Sequence, residues 1–282
     1  MSKILDKKLL SRDVVQMKLL APEIASERQA GQFIIVQVDS DFSERIPLTI
    51  ADADAEKGSI TIIFQIVGKS TLKLAQKNVG DHVENLLGPL GKPTHIEKAG
   101  TVVCVGGGIG VAPLHPIAQA MKKAGNRVIT IIGARNKDLL ILEDEMRAIA
   151  DELIVCTDDG SYGRKCLVTE PLREICEKGG VDIAVAIGPA IMMKFCAETT
   201  RPFGVKTYAS LNTIMVDGTG MCGGCRVTFG NETKFVCVDG PEFDAHLVDF
   251  DNMMLRLRSY KPQEQDANHE CRLQAAIDEL RR

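Results

Sequence analysis

The chain has 282 residues, 45% of them hydrophobic and 26% charged, with a net charge of −4. That balance is ordinary for a globular protein. It supplies no basic field for nucleic acid or an anionic membrane surface, and no apolar run nears the roughly 20 residues of a membrane span. Nine cysteines follow an N-terminus, MSKILDKKLLSRDVV, that lacks the apolar core of an export signal; the expectation is a cytoplasmic protein with reduced thiols and metal or cluster chemistry.

From residue 3 to about 98, short apolar runs alternate with turn residues. The runs at 14–20, 33–38, 48–51, 59–67 and 83–87, several rich in β-branched residues, predict a small antiparallel barrel with one short helix at 70–76. From about 100 the rhythm becomes strand–helix alternation. Strands are expected at 101–105, 127–133, 153–157, 183–187 and 205–209, and helices at 113–124, 142–150, 168–178 and 190–200. Such alternation implies a parallel sheet covered on both faces, with ligands at the carboxyl ends of its strands. A cysteine-containing module follows. The last stretch is charged, with apolar residues at helical spacing, first Phe250, Met254 and Leu257, then Leu273, Ile277 and Leu280. Packing on the protein's own surface is the expectation for both sets, with a partner-binding face as the other option. The expected class is α/β plus β, divided into a barrel at 1–99, a parallel-sheet domain at 100–211, a cysteine module at 212–245 and a helical tail at 246–282.

Three stretches carry chemistry. The first predicted strand of the second domain runs into Gly106-Gly107-Gly108-Ile109-Gly110-Val111-Ala112-Pro113 and then a helix. Gly107, Gly108 and Gly110 permit a tight turn and close backbone approach, the helix start offers amides to a pyrophosphate, and Pro113 suits the first helical turn. In that strand–turn–helix context the motif predicts dinucleotide binding. Arg135 near the end of the next strand could accept a 2′-phosphate, whereas Asp158 and Asp159 after the third would repel one. The balance favours NAD(H), although Asp-Asp-Gly is also ordinary turn chemistry.

In the barrel, Arg45, Pro47, Leu48 and Thr49 on one strand are candidate flavin contacts. So are Gln65, Val67, Gly68, Ser70 and Thr71 around the turn into the short helix, whose start suits a pyrophosphate. The third stretch has the spacing D-x4-C-x2-C-x11-C: Asp217, Cys222, Cys225 and Cys237. Plant-type ferredoxins space the thiolates of a 2Fe–2S cluster C-x4-C-x2-C with a distant fourth, so Asp217 stands where the first cysteine would be. A carboxylate can ligate iron; a structural zinc site of three thiolates and a carboxylate is the alternative.

These residues, most of all SLNTIMVDGTGMCGGCRV at 210–227, resemble the ferredoxin–NADP reductase superfamily and, within it, the electron-transfer subunits related to dihydroorotate dehydrogenase. An aspartate at the first ligand position is similar to the small subunits of electron-bifurcating transhydrogenases. The resemblance implies FAD on the barrel, NAD(H) on the second domain and a 2Fe–2S cluster on the third. It also implies a larger flavin- and iron–sulfur-containing partner subunit, and ferredoxin served indirectly through that partner. Electron-transfer subunits of dihydroorotate dehydrogenase or sulfide dehydrogenase remain alternatives, as does a zinc or redox-sensing module. Two departures stand out. The superfamily's flavin arginine lies three residues before a Ser or Thr, whereas Arg45 lies four before Thr49. Ile187, not a cysteine, precedes Gly188 and Pro189 at the expected nicotinamide position. No side chain is expected to act as general base. Six scattered cysteines lie outside the motif, Cys104, Cys156, Cys166, Cys176, Cys196 and Cys271, and most of them are expected to be small buried hydrophobes.

Overall fold

The computed structural model describes residues 1–39 and 43–280, with side-chain surroundings through residue 271 and at 273. The first part contains β1 (Ser2–Ser11), β2 (Val14–Leu20), α1 (Pro22–Glu27), β3 (Phe33–Gln37), β4 (Arg45–Asp54), β5 (Ser59–Gln65), α2 (Lys69–Gln76), β6 (His82–Val83) and β7 (Asn85–Leu90). Its strands form one antiparallel sheet in the order β6-β1-β2-β5-β4-β3-β7. The two end strands are separated in the chain by Glu84 alone, so the sheet curls into a nearly closed barrel around Ile4, Met17, Leu19, Ile34, Ile62 and Phe64. Two elements here escape the apolar pattern. In β1 only Ile4 is fully buried; beside the two-residue β6 it is nearly an edge strand and carries the lysines such strands favour. The short α1 opens on Pro22, whose fixed φ suits a first helical turn.

The second part contains β8 (Thr101–Gly107), α3 (Val111–Lys123), β9 (Arg127–Ala134), α4 (Glu143–Ile149), β10 (Glu152–Thr157), β11 (Arg164–Lys165), α5 (Thr169–Lys178), β12 (Ile183–Ile187), α6 (Ala190–Thr200) and β13 (Lys206–Ser210). The third contains β14 (Arg226–Phe229), β15 (Glu232–Phe235), α7 (Val236–Asp239), β16 (Glu242–Asp244), α8 (Phe250–Leu257) and α9 (Lys261–Leu280). The sheet order is β11-β10-β9-β8-β12-β13-β16, parallel throughout except for β16. The chain steps outward from β8 to β11 and then returns to β12 on the other side of β8. That reversal opens a crevice at the carboxyl ends of β8 and β12.

The third part is not packed as a separate body. β16 extends the parallel sheet, Ser210 pairing with Glu242, and Cys225, Val227 and Cys237 share one core with Val103, Ala186 and Met193. Phe250 and Met253 of α8 close the same core, with Met254 and Leu257 packed against it, so the first apolar set of the terminal stretch is domain packing. Leu273 on α9 is half exposed, α9 runs back against α2, and the side chains of Ile277 and Leu280 lie outside the described residues. Among the described residues no helix is long and apolar enough to cross a membrane.

Candidate functional site

The crevice between β8 and β12 brings the nucleotide-motif residues together. Ile187 pairs with Gly106, which sets Gly188 and Pro189 beside Gly107 and Gly108. The glycines differ in what they face. A Cβ on Gly110 would fall 2.3 Å from the Ile187 carbonyl oxygen, so a side chain is excluded there by the fold itself. Gly108, at φ +54°, has nothing within 4 Å of its Cβ position, and its backbone is the one open to a ligand. Pro113 sits in the first turn of α3. Met192, which no sequence signal singled out, packs its thioether over Gly107 and Gly188.

At the ends of β9 and β10, the Asp158 and Asp159 amides donate to the Ala134 and Arg135 carbonyls at 3.1 and 3.2 Å, so the three expected ribose residues converge. Their roles separate here. The Asp159 carboxylate accepts from the Ser161 amide at 2.9 Å, and the Ser161 hydroxyl, with that amide, holds its carboxyl below the usual range. Asp159 is thus tied into its own turn, while the Asp158 and Arg135 side chains are exposed beside it.

On the barrel, Thr49 pairs with Phe33, and Pro47 and Thr49 share the face of β4 opposite Ile46 and Leu48. The Thr71 hydroxyl accepts from the Val67 and Gly68 amides, both at 3.1 Å, which fixes the turn into α2. Free amides of the first helical turn remain, as a pyrophosphate requires. A cavity of about 280 Å³ beside them is lined by Asp39, Glu44, Lys69, Ser70 and Lys73. The Ser70 hydroxyl donates to Glu44, so a phosphate at Ser70 would displace that carboxylate. The Gln65 amide donates to Asp13 at 2.7 Å and is tied to the barrel rather than to a ligand site.

The cysteine module presents its expected ligands as two pairs. The Asp217 carboxylate accepts from the Thr219 amide at 2.9 Å and the Cys222 amide at 2.8 Å; the Thr219 contact is the larger reason its carboxyl lies below the usual range. The Cys225 and Cys237 sulfurs lie 3.2 Å apart, at 1% and 2% exposure, and burial first, then the neighbouring thiol, pushes Cys237 up to about 12. Among the described residues no three such side chains converge on a single ion. A cluster with two irons takes its ligands two by two, and the donor set fits it. Two sulfurs on one tetrahedral metal stand about 3.8 Å apart for bonds near 2.3 Å, so the buried pair would open by roughly half an ångström. Loading would release the thiol protons. Each Asp217 oxygen keeps a lone pair beyond its amide, so holding the loop does not preclude ligation.

Gly218, at φ +73°, lays this loop on the barrel: its Cβ position is 2.7 Å from Leu90 and 3.0 Å from Ile35. Asp217 thereby lines a second cavity of about 280 Å³, walled otherwise by Ile35, Gln37, Arg45, Asn85, Leu86 and Leu87. Of the remaining cysteines, Cys104, Cys156, Cys166, Cys176 and Cys196 are buried, and burial pushes Cys104, Cys156 and Cys196 up to about 12. They behave as small core residues. Cys156 and Cys166 do meet, at 3.3 Å, rather than lying scattered.

Residues 104–198 match the family model of the oxidoreductase NAD-binding domain, and residues 212–249 that of the iron–sulfur cluster binding domain of dihydroorotate dehydrogenase B. A dihydroorotate dehydrogenase B (NAD(+)) electron transfer subunit homolog from Thermotoga maritima is 47% identical, over 94% of this chain and 93% of its own. The electron transfer subunit from Bacillus caldolyticus is 36% identical over 86% and 95%. A solved structure of an NADH-dependent reduced ferredoxin–NADP oxidoreductase, described in terms of flavin-based electron bifurcation, superposes with a TM-score of 0.92 at 45% identity, covering 97% of this chain and 98% of that one.

Proposed function

This chain belongs to the family of dihydroorotate dehydrogenase B electron-transfer subunits, and from that membership we propose a specific role for it. It passes electrons between NAD(H), FAD and a 2Fe–2S cluster within a cytoplasmic, electron-bifurcating NADH–ferredoxin–NADP oxidoreductase. A larger flavin- and iron–sulfur-containing subunit is its partner.

A nicotinamide exchanges two electrons as hydride and a cluster exchanges one, while a flavin can do both. The chain's own residues bind and orient. Gly108 and the start of α3 take the pyrophosphate of NAD(H), Gly188 and Pro189 flank its nicotinamide end, and Arg135 and Asp158 face its ribose. Pro47 and Thr49 of β4 take the flavin ring, and the start of α2 its phosphates. Asp217 and Cys222 on one side, and Cys225 and Cys237 on the other, hold the cluster. The observation that carries the reading is the shared cavity: Asp217 reaches a space walled by β3, β4 and β7, so the one-electron site adjoins the flavin strand. The exposed edge at Met221 and Cys222 is where a partner would collect electrons.

Anaerobically purified chain should hold about one FAD and about two irons, and should oxidise NADH with ferricyanide. It should couple NADH and NADP to ferredoxin only after the larger subunit is added. Zinc in place of iron sinks the cluster assignment, and ferredoxin reduction by the purified single chain sinks the need for the partner. Coupling to a partner that oxidises dihydroorotate would transfer the chain to that reading.

A further inference from the structure

Arg45 stands one residue out of register for the flavin role the sequence assigns it, and the barrel shows what it does face. Gln37 pairs with Arg45 across β3 and β4, and with Asn85 across β3 and β7, so the three lie in one row on one face of the sheet. The Asn85 amide donates to the Gln37 side-chain oxygen at 2.9 Å, and Gln37 is only 5% exposed, which makes the row a fixed floor. Ile35, two residues before Gln37, points to the same face. It is also the side chain on which Gly218 rests, so the loop lands one row from Gln37 and carries Asp217 into the cavity that Arg45 lines. Arg45 and Asp217 thus wall one cavity of about 280 Å³, and charges facing one such space are screened by salt only in part. The neighbouring carboxylate of Glu44 is turned away to the Ser70 hydroxyl.

We propose that Arg45 is the charge partner of Asp217, its guanidinium set across the β3–β4–β7 cavity from the ligand carboxylate so that the cation favours the reduced form of the cluster. The inference rests on the cluster reading above. A 2Fe–2S core held by one carboxylate and three thiolates is anionic and gains a further negative charge on reduction, and a fixed cation nearby favours the more negative state. Arginine suits the task because it stays protonated in proteins. Its role is positioning of charge, with no contact to the irons required.

The test is an EPR-monitored redox titration of the full chain, purified anaerobically, with iron and FAD measured on each sample. Arg45→Gln should retain iron and FAD and make reduction of the cluster about tenfold less favourable, a fall of about 59 mV for a one-electron couple. Arg45→Lys, which keeps the charge, should restore most of the shift. A midpoint unchanged in Arg45→Gln overturns the proposal, and so does Arg45→Lys falling as far as Arg45→Gln. Loss of FAD from Arg45→Gln with an unshifted cluster would return Arg45 to the flavin phosphates. Parent protein without iron overturns the cluster reading itself, and is seen before any variant is made.

Discussion

The turn at 106–110 and the loop at 217–225 are both built from glycine, and different forces shape them. The turn is clamped by a parallel sheet: Gly106 is hydrogen-bonded into the register of β8 and β12, and Gly110 is pressed against the Ile187 carbonyl. The loop has no ladder. Its form comes from the Asp217 carboxylate gathering the Thr219 and Cys222 amides, and from a buried sulfur pair behind it. The crevice is therefore formed before its ligand arrives, whereas the loop's own ligand residues hold it together. Binding a dinucleotide should change little in the first; loading iron should stabilise the second, since metal binding and folding share one free energy.

The largest expected effect breaks the loop and spares the crevice. Cys225→Ser removes one of the buried pair, so iron and visible cluster absorbance should fall to near zero while the Kd for NADH, measured by calorimetry, stays within a factor of about two. A Kd that collapses with the iron would mean that the two regions fold as one unit.

The reverse experiment compares two glycines in the turn. Gly110→Ala puts a methyl into the Ile187 carbonyl and should lower unfolding free energy by about 3 kcal/mol in denaturant titrations. Gly108→Ala meets no atom and should lose about 1 kcal/mol from its left-handed backbone, yet weaken NADH binding more than its stability loss explains. Equal stability losses would show that the crevice is not clamped as described.

The seam between the regions offers a pH test. Glu242, on β16 where the module joins the sheet, accepts a 2.5 Å hydrogen bond from Thr94 at the exit of the barrel, and burial pushes its carboxyl up to about 7. The folded chain keeps that proton up to about pH 7, while the unfolded chain releases it near the ordinary 4.5. The unfolded state thus binds fewer protons across that window, and stability falls as pH rises through it, levelling off above 7. Glu242→Gln should match the parent near pH 4 and exceed it at pH 8 by about 3 kcal/mol. Parallel stability curves for the two proteins would refute the assignment.

The smallest effect sharpens the ribose end of the crevice. Asp158→Asn should narrow the preference of NADH over NADPH by about tenfold, roughly 1.4 kcal/mol, in ferricyanide-coupled turnover. Asp159→Asn, whose carboxylate already serves the Ser161 amide, should leave that preference nearly unchanged. A larger change at Asp159 would reverse the two roles.

Much of this was legible in the residues because local pattern encodes local bonding. Strand–helix alternation from residue 100 placed β12 and α6 to the residue, since a buried parallel strand must be apolar throughout and a helix must repeat its apolar face. The glycine turn and the D-x4-C-x2-C-x11-C spacing announced their sites because each ligand set lies within a short span of chain. β1 and α1 were not legible: one fully buries only Ile4, and the other is too short to show a period.

What the tertiary structure alone decided are the relations between segments far apart in the chain. That Asp158 and Asp159 stand beside Arg135 depends on their amides reaching the Ala134 and Arg135 carbonyls, which requires β9 and β10 to pair. That β16 belongs to the parallel sheet, and that the cysteine module shares its core, follows from pairing with β13 across more than 30 residues, which no local pattern records. Arg45 and Asp217 stand 172 positions apart, and their lining one cavity requires both the row set by β3, β4 and β7 and the bare backbone of Gly218 on Ile35. Sequence determines which groups a segment can offer. Which groups face each other is decided by strand register, because a shift of one residue turns every side chain to the opposite face.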